Sequence, residues 1–175
     1  MTRLALVAML VLCACPSSQN PDLFPLPIAD GEICSDVLEP PLLPANHVTS
    51  EVLLIYNTDP PTSGPHFDDW APAGIYEAPI PDGNLVHNLE HGQIVIHHRD
   101  ATQEELAPIT AAVGADAVGV VMSPRPGSPF AFTLTSWGRA QVCSEIPANA
   151  PELIEAFIDA HRGQPPAPEA SLFNR

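Results

Sequence analysis

The sequence predicts an α+β domain, in which a small mixed β-sheet is packed by two helices and joined by irregular proline-rich loops. Apolar runs rich in β-branched residues at 94–96 and 117–122 are typical of buried strands. A helical pattern lies between them, so the order is β-α-β. Prolines are frequent, 22 in 175 residues, and those within 71–83 keep that segment irregular.

The first half of the domain is predicted to begin with a strand at Val52–Tyr56. The segment Asp59–Pro65 ends this strand in a rigid turn. A helix of about two turns follows at Leu85–His91, with Asn84 as its N-cap and Gly92 just after its end.

The second half is predicted to contain two helices and an alternating strand. Thr102 and Glu105 form a capping box that opens a helix to about residue 113. Pro108 inside this helix predicts a kink or a short first turn. A strand covers 130–135, and Asn149 begins a final helix with one apolar stripe.

The N-terminal residues have the pattern of a lipoprotein signal peptide, 1–15. Arg3 precedes an apolar run that is too short to span a bilayer. The run ends in Leu-x-Ala-Cys, which resembles a bacterial lipobox and would make Cys15 the lipidated first residue. Ordinary signal cleavage nearby is the alternative. We therefore expect an exported chain, lipid-anchored to the cell envelope and facing the periplasm or exterior.

The remaining residues divide into three parts. Residues 16–46 are rich in proline and predict a semi-rigid tether. Residues 47–169 form the globular domain of metal-binding type, and 170–175 form a tail. We expect the whole proline-rich end from residue 164 to be mobile.

The strongly negative net charge and the absence of lysine exclude several functions. The chain has no lysine, and its six arginines stand against 21 acidic residues, for a formal net charge of −15. Such a surface repels phosphate backbones, which excludes nucleic-acid binding, and it favours cations. The lack of lysine also rules out Schiff-base chemistry and P-loop phosphate binding.

Two cysteines remain after the signal, Cys34 and Cys143. An even pair in an oxidising compartment predicts a disulfide. The bridge would close a loop of about 110 residues and stabilise the fold by about 4 kcal/mol. Two independent thiols are the alternative.

Histidines carry the strongest chemical signal. His87 and His91 lie four residues apart on the predicted helix and project from one face. Two such imidazoles can share a metal ion, with Glu90 close enough to orient a ligand or take a proton. The rigid proline turn presents His66 as a third ligand, and His47 is the next candidate. A hydrogen-bonded structural pair is the alternative.

Two other side chains are candidate ligands. Asp68 could supply an oxygen, although an acidic residue on an acidic surface is more often solvated. Met122 ends a predicted strand, and its thioether would favour Cu(I) if it faced the histidines. Without it the imidazoles suit Zn(II) or Cu(II) about equally. His97 and His98 point to opposite faces of a strand, and we interpret both as structural.

Three motifs resemble a bacterial family, the domain of unknown function 3105. They are PPTSGPH at 60–66, VHNLEHG at 86–92 and SWGR at 136–139. The resemblance runs from about residue 47 to 169 and includes the closing RGQPPAPE. It implies no established activity. It implies family motif positions for His47, His66, His87, Glu90 and His91.

The pattern predicts a protein that binds a transition-metal ion, copper in preference to zinc, for capture or delivery in the envelope. A non-metal envelope module with structural histidines is the alternative. A third hypothesis is a zinc hydrolase, because residues 87–91 match H-x-x-E-H with Glu90 as general base. Gly92 ends that helix at once and no second helix offers an obvious glutamate ligand, so binding is favoured over catalysis. The partners predicted are the metal ion and the membrane, through Cys15.

Overall fold

A computed structural model describes residues 23–115 and 118–173 of the chain. The signal peptide and Cys15 therefore lie outside the described residues. The elements in chain order are β1 His47–Val48, β2 His66–Phe67, β3 Gly74–Ile75, α1 Asp82–Glu90, β4 Ile94–His98, α2 Gln103–Ala115, β5 Val120–Pro124, β6 Phe132–Ser136, β7 Arg139–Cys143, α3 Ala150–His161 and α4 Ala170–Phe173. Within the described ranges, no helix has the length and apolar character needed to cross a bilayer.

The main sheet has five strands in the order β3-β5-β4-β6-β7. Strands β3, β5 and β4 are parallel, whereas β6 pairs antiparallel with both β4 and β7. The predicted α+β class is confirmed. The predicted β-α-β order is present as β4-α2-β5, and its two strands are parallel. The capping box is also present, since the Glu105 backbone N–H donates to Thr102 Oγ1 over 3.2 Å. Helix α2 continues through Pro108.

The two faces of the sheet bury different elements. One face packs against α2 and α3, with Ile96 and Met122 among its core side chains. The opposite face packs against α1, where Val95 and Val121 of the sheet belong to the same buried apolar cluster as Leu89 of the helix. Because alternate strand residues point to opposite faces, this division follows from the register. It places α1 and its histidines on the second face.

The predicted strand at Val52–Tyr56 is wrong. The segment is a loop, in which Leu53 and Ile55 are 85% and 68% exposed. An apolar run forms a strand only where another strand satisfies its backbone hydrogen bonds. In the described residues, the short two-stranded sheet of β1 and β2 forms at His47 and His66 instead.

Helix α1 begins earlier than predicted. Its first residue is Asp82 and Pro81 is the N-cap, so the prediction of Asn84 as N-cap is wrong. The Asn84 side chain instead donates to the Asp69 carbonyl over 2.8 Å. The predicted end is correct, because Gly92 has φ +79°, a conformation that glycine adopts without strain.

Strand β7 was not predicted. It forms a hairpin with β6 through the two residues Trp137 and Gly138, and the latter has φ +72°. Tight hairpin turns require positive φ, which glycine supplies. The SWGR motif is therefore a turn that aligns two strands.

Both ends of the described chain pack on the domain. Cys34 and Cys143 form a disulfide, and Leu38 pairs with Ala140 of β7, so the chain between Cys34 and Leu38 lies beside the edge strand β7. The prediction of a mobile end is wrong for 164–173. The Glu169 backbone N–H donates to the carbonyl of Glu90 over 3.0 Å, and neighbouring alanines are buried.

Candidate metal centre

Strands β1 and β2 bring two distant histidines together. The strands are parallel, with His47 and His66 as direct partners. Side chains at paired positions of neighbouring strands lie on the same side of the sheet. The two rings accordingly contact each other edge to face, with centroids 4.7 Å apart.

The proline turn before His66 is buried and held from outside. The backbone N–H of Gly138 in the hairpin turn donates to the Thr62 carbonyl over 2.8 Å. The Tyr56 hydroxyl donates to the Pro65 carbonyl over 2.9 Å. His66 itself is 0% exposed. The imidazole is therefore fixed by the turn that the sequence predicts to be rigid.

Helix α1 supplies the other two donors. His87 and Glu90 are three residues apart and lie on one face, and both are buried. Gly83 lets the helix lie close to β2, since a Cβ at this position would be 2.5 Å from the Phe67 ring. Asn88 ties the preceding loop to the helix, accepting from the Ala71 N–H at 3.0 Å.

Four side chains converge at this point, and we call them the His₃Glu cluster: His47, His66, His87 and Glu90. One potential ligand atom from each lies within 4.8 Å of all the others. Glu90 Oε2 is 3.0 Å from His66 Nε2 and 3.4 Å from His47 Nε2. Two ligands bound about 2.0–2.1 Å from one ion lie roughly 2.9–3.4 Å apart. The two distances from Glu90 Oε2 therefore match those between ligands of a shared ion.

The tautomers of the two buried rings are set by backbone carbonyls. His66 Nδ1–H donates to the Gly64 carbonyl over 2.9 Å, and His87 Nδ1–H donates to the Phe67 carbonyl over 2.7 Å. In each neutral ring Nε2 is then the nitrogen without a proton; that of His66 lies 3.0 Å from Glu90 Oε2, and that of His87 lies 2.9 Å from His91 Nε2. A hydrogen-bonded Nδ1 behind a free Nε2 is the usual state of a metal-ligating histidine.

This arrangement has an electrostatic consequence. The Nε2 lone pair of His66 points at a carboxylate oxygen of Glu90, 3.0 Å away. Two acceptors at this distance repel each other unless a proton or a cation lies between them. A proton shared between these two atoms, or a cation bound by both, would relieve this repulsion.

Burial also favours the ligand form of His87. Its pKa is lowered by loss of solvent, an effect that the hydrogen bond to the Phe67 carbonyl partly offsets and that the neighbouring histidines reinforce. A lowered pKa keeps the ring neutral near pH 7. Metal ions bind the neutral imidazole, so proton competition at this ligand is small.

Two other predicted ligands lie beside the cluster. His91 stacks on His87 with an interplanar angle of 13°, and their Nε2 atoms are 2.9 Å apart. His91 is nevertheless outside the group of four. Asp68 Oδ1 is 4.0 Å from His47 Nδ1 and is largely exposed, so it faces the solvent side of that ring.

Met122 lies in the other half of the core. It is buried among the apolar side chains beneath α2 and α3, whereas the His₃Glu cluster lies on the face of α1. The reason is strand alternation, because Val121 takes the face toward α1. The cluster consequently has nitrogen and oxygen donors without the soft thioether that would favour Cu(I).

His97 and His98 are not part of the cluster either. His97 is fully buried in β4, and burial lowers its pKa to about 3, an effect that Arg125 and His98 reinforce. His98 lies half-buried at the end of the same strand, and burial lowers its pKa as well. Neither belongs to the group of potential ligands in the described residues.

Three features of the site were not found from the sequence. Glu90 was expected to orient an imidazole but lies among the potential ligands. Glu169 places Oε2 3.3 Å from His91 Nδ1, and Trp70 packs against both His87 and His91. The shared helical face gave a signal for Glu90, and the RGQPPAPE motif gave one for Glu169.

The same geometry bears on the hydrolase hypothesis. A general base must be free to take a proton from bound water. The Glu90 carboxylate instead lies within 3.4 Å of two imidazole nitrogens. In that position the Glu90 carboxylate is placed to bind an ion together with the two imidazoles, which is the role of a ligand and not of a general base.

A family profile described as protein of unknown function, DUF3105, matches residues 47–174. The chain belongs to this family. The matched DUF3105 region contains the whole His₃Glu cluster together with His91 and Glu169. Comparisons with curated proteins and with solved structures return no match.

Proposed function

We propose that this DUF3105 protein is an exported, lipid-anchored metal-binding protein that captures or delivers a transition-metal ion in the cell envelope. The observation that carries the proposal is the convergence of three imidazoles and one carboxylate, with ligand atoms within 4.8 Å of one another. The backbone hydrogen bonds at His66 and His87 support it, because they hold the Nε2 atoms ready for an ion.

The donor set favours a divalent ion, and copper over zinc. Three imidazoles with one carboxylate oxygen suit both Cu(II) and Zn(II), and the position of Met122 removes the argument for Cu(I). Among divalent ions at such a site, Cu(II) generally binds most tightly. The acidic surface, with a net charge of −15, adds a general attraction for cations.

Export and anchoring are proposed from the signal pattern and Cys15. The bond between Cys34 and Cys143 supports an oxidising compartment. A lipid anchor would hold the domain at the envelope surface, where it meets ions from outside the cell.

Metal analysis after exposure to Cu(I), Cu(II) or Zn(II) and removal of loose ions tests the proposal. We expect one ion per chain in the wild type, with Cu(II) displacing Zn(II). The double variant His66→Ala with His87→Ala should retain none, whereas His98→Ala, a histidine outside the cluster, should bind as the wild type does. Sub-stoichiometric metal that the double substitution leaves unchanged would contradict the proposal.

One observation favours the non-metal envelope module as a second candidate. Val52, Leu53 and Ile55 form an exposed apolar run, and such runs are often contact surfaces for a partner. On this hypothesis the histidines are structural. Their substitution would then lower stability equally with and without metal.

A further inference from the structure

His91 lies beside His87, outside the His₃Glu cluster, and contacts Glu169 and Trp70. The Nε2 atoms of the two rings are 2.9 Å apart, which matches the roughly 2.9–3.4 Å between two ligands on one ion. Glu169 Oε2 lies 3.3 Å from His91 Nδ1. Trp70 packs against both rings, with centroid distances of 5.2 and 5.1 Å.

The orientation of His91 repeats that of the buried ligands. Each of three rings has an oxygen acceptor beside Nδ1: the Gly64 carbonyl at His66, the Phe67 carbonyl at His87 and the Glu169 carboxylate at His91. A carboxylate behind a histidine is a recurring arrangement in metal sites, because it fixes the ring and raises its basicity. His91 is thus oriented as a ligand although it lies outside the His₃Glu cluster.

His87 cannot serve both sides at once. Its Nε2 has one lone pair, so it binds only one ion at a time and cannot hold one ion on the side of His91 and a second in the cluster. Side-chain exposure falls from Glu169 (39%) through His91 (19%) to the fully buried His66, although His47 of the cluster is itself 48% exposed.

We propose that His87 and His91 form an outer metal position through which the ion reaches and leaves the His₃Glu cluster. The ion binds His91 Nε2 first and His87 Nε2 second. Bonds to the inner donors then form as the bond to His91 breaks, with no change in the charge of the ion. Glu169 positions His91 for this step. The inference rests on the proposed function and adds a route for exchange.

Stopped-flow fluorescence on the full chain in mild detergent tests the route. Buffered Cu(II) measures uptake, because Trp70 lies next to the outer position and should be quenched, and a chelator challenge measures release. We expect His91→Ala to slow uptake and release by about tenfold each, which corresponds to raising both barriers by about 1.4 kcal/mol. Kd should stay unchanged.

Glu169→Gln should slow both rates in the same direction but by less, since its amide oxygen can still occupy the position beside His91 Nδ1. Glu155→Gln, which removes an exposed charge on α3, should change neither rate. His91→Gln provides a second variant if the alanine substitution perturbs α1.

Two results would overturn the inference. Unchanged rates in His91→Ala would show that the ion exchanges directly at the exposed His47. A weaker Kd with unchanged uptake would make His91 a permanent ligand. A wild type that binds no ion would instead refute the proposed function, so the two failures are distinct.

Discussion

Glu90→Gln separates a metal ligand from a structural partner. The substitution keeps the shape of the side chain and removes its charge from a buried position 3.0 Å from His66 Nε2. Without metal, the glutamine amide can donate to that nitrogen, forming a neutral hydrogen bond worth about 0.5–1.5 kcal/mol. We therefore expect the free energy of unfolding in chelator to change by no more than about 1 kcal/mol.

With metal bound, we expect the wild type and Glu90→Gln to differ strongly in the free energy of unfolding. A free ion concentration 100 times Kd stabilises the wild type by about 2.7 kcal/mol, which raises Tm by about 5–10 °C for a chain of this size. Loss of the carboxylate should weaken binding by about 100-fold, because losing a ligand should cost at least as much as losing an outer partner, for which the upper end is about 100-fold. The same ion concentration then adds only about 0.4 kcal/mol.

Thermal and denaturant unfolding with and without Cu(II) measures both quantities, and Glu155→Gln serves as the charge-matched control. The reasoning fails if Glu90→Gln costs about 3–5 kcal/mol in chelator, as breaking a buried ion pair does, while the metal-dependent increment stays that of the wild type. Glu90 would then be the partner of a charged His66, and the cluster would hold a proton in place of a metal.

Three further predictions concern stability. His97 stays neutral in the fold down to about pH 3 but gains a proton below about pH 6.5 when unfolded. Its contribution to the free energy of unfolding is therefore complete above pH 6.5 and is lost by about 1.4 kcal/mol per pH unit below it. In denaturant unfolding from pH 6 to 4, the plot of the free energy of unfolding against pH should be less steep for His97→Gln than for the wild type, by the amount that corresponds to one proton. Gly83→Ala should cost about 1–3 kcal/mol by overpacking, whereas Gly114→Ala, where a Cβ meets nothing within 4 Å, should be neutral or stabilising in the same unfolding assay. Cys34 and Cys143 are 109 residues apart, and replacing both by serine should lower the free energy of unfolding by about 4 kcal/mol, which denaturant unfolding measures. Metal affinity should stay unchanged, which metal titration measures.

Local patterns gave the β4-α2-β5 unit and the cap of α2, because each depends on residues close in the chain. The Thr102 and Glu105 side chains bond to each other's backbone, and no distant residue is needed for this. The predicted strand at Val52–Tyr56 failed for the converse reason. Apolar character gives a strand its tendency, but only a neighbouring strand satisfies its backbone.

The sequence alone determined which chemistry is available to this protein: imidazoles and carboxylates without lysine, on a strongly acidic chain. It also indicated His66, His87 and His91 as partners, from a rigid turn and helical spacing. Only the tertiary structure decided which of these donors meet. Pairing of β1 with β2 brings in His47, the pitch of α1 turns Glu90 inward, and strand alternation sends Met122 to the far face. Each of these outcomes depends on contacts between residues far apart in the chain.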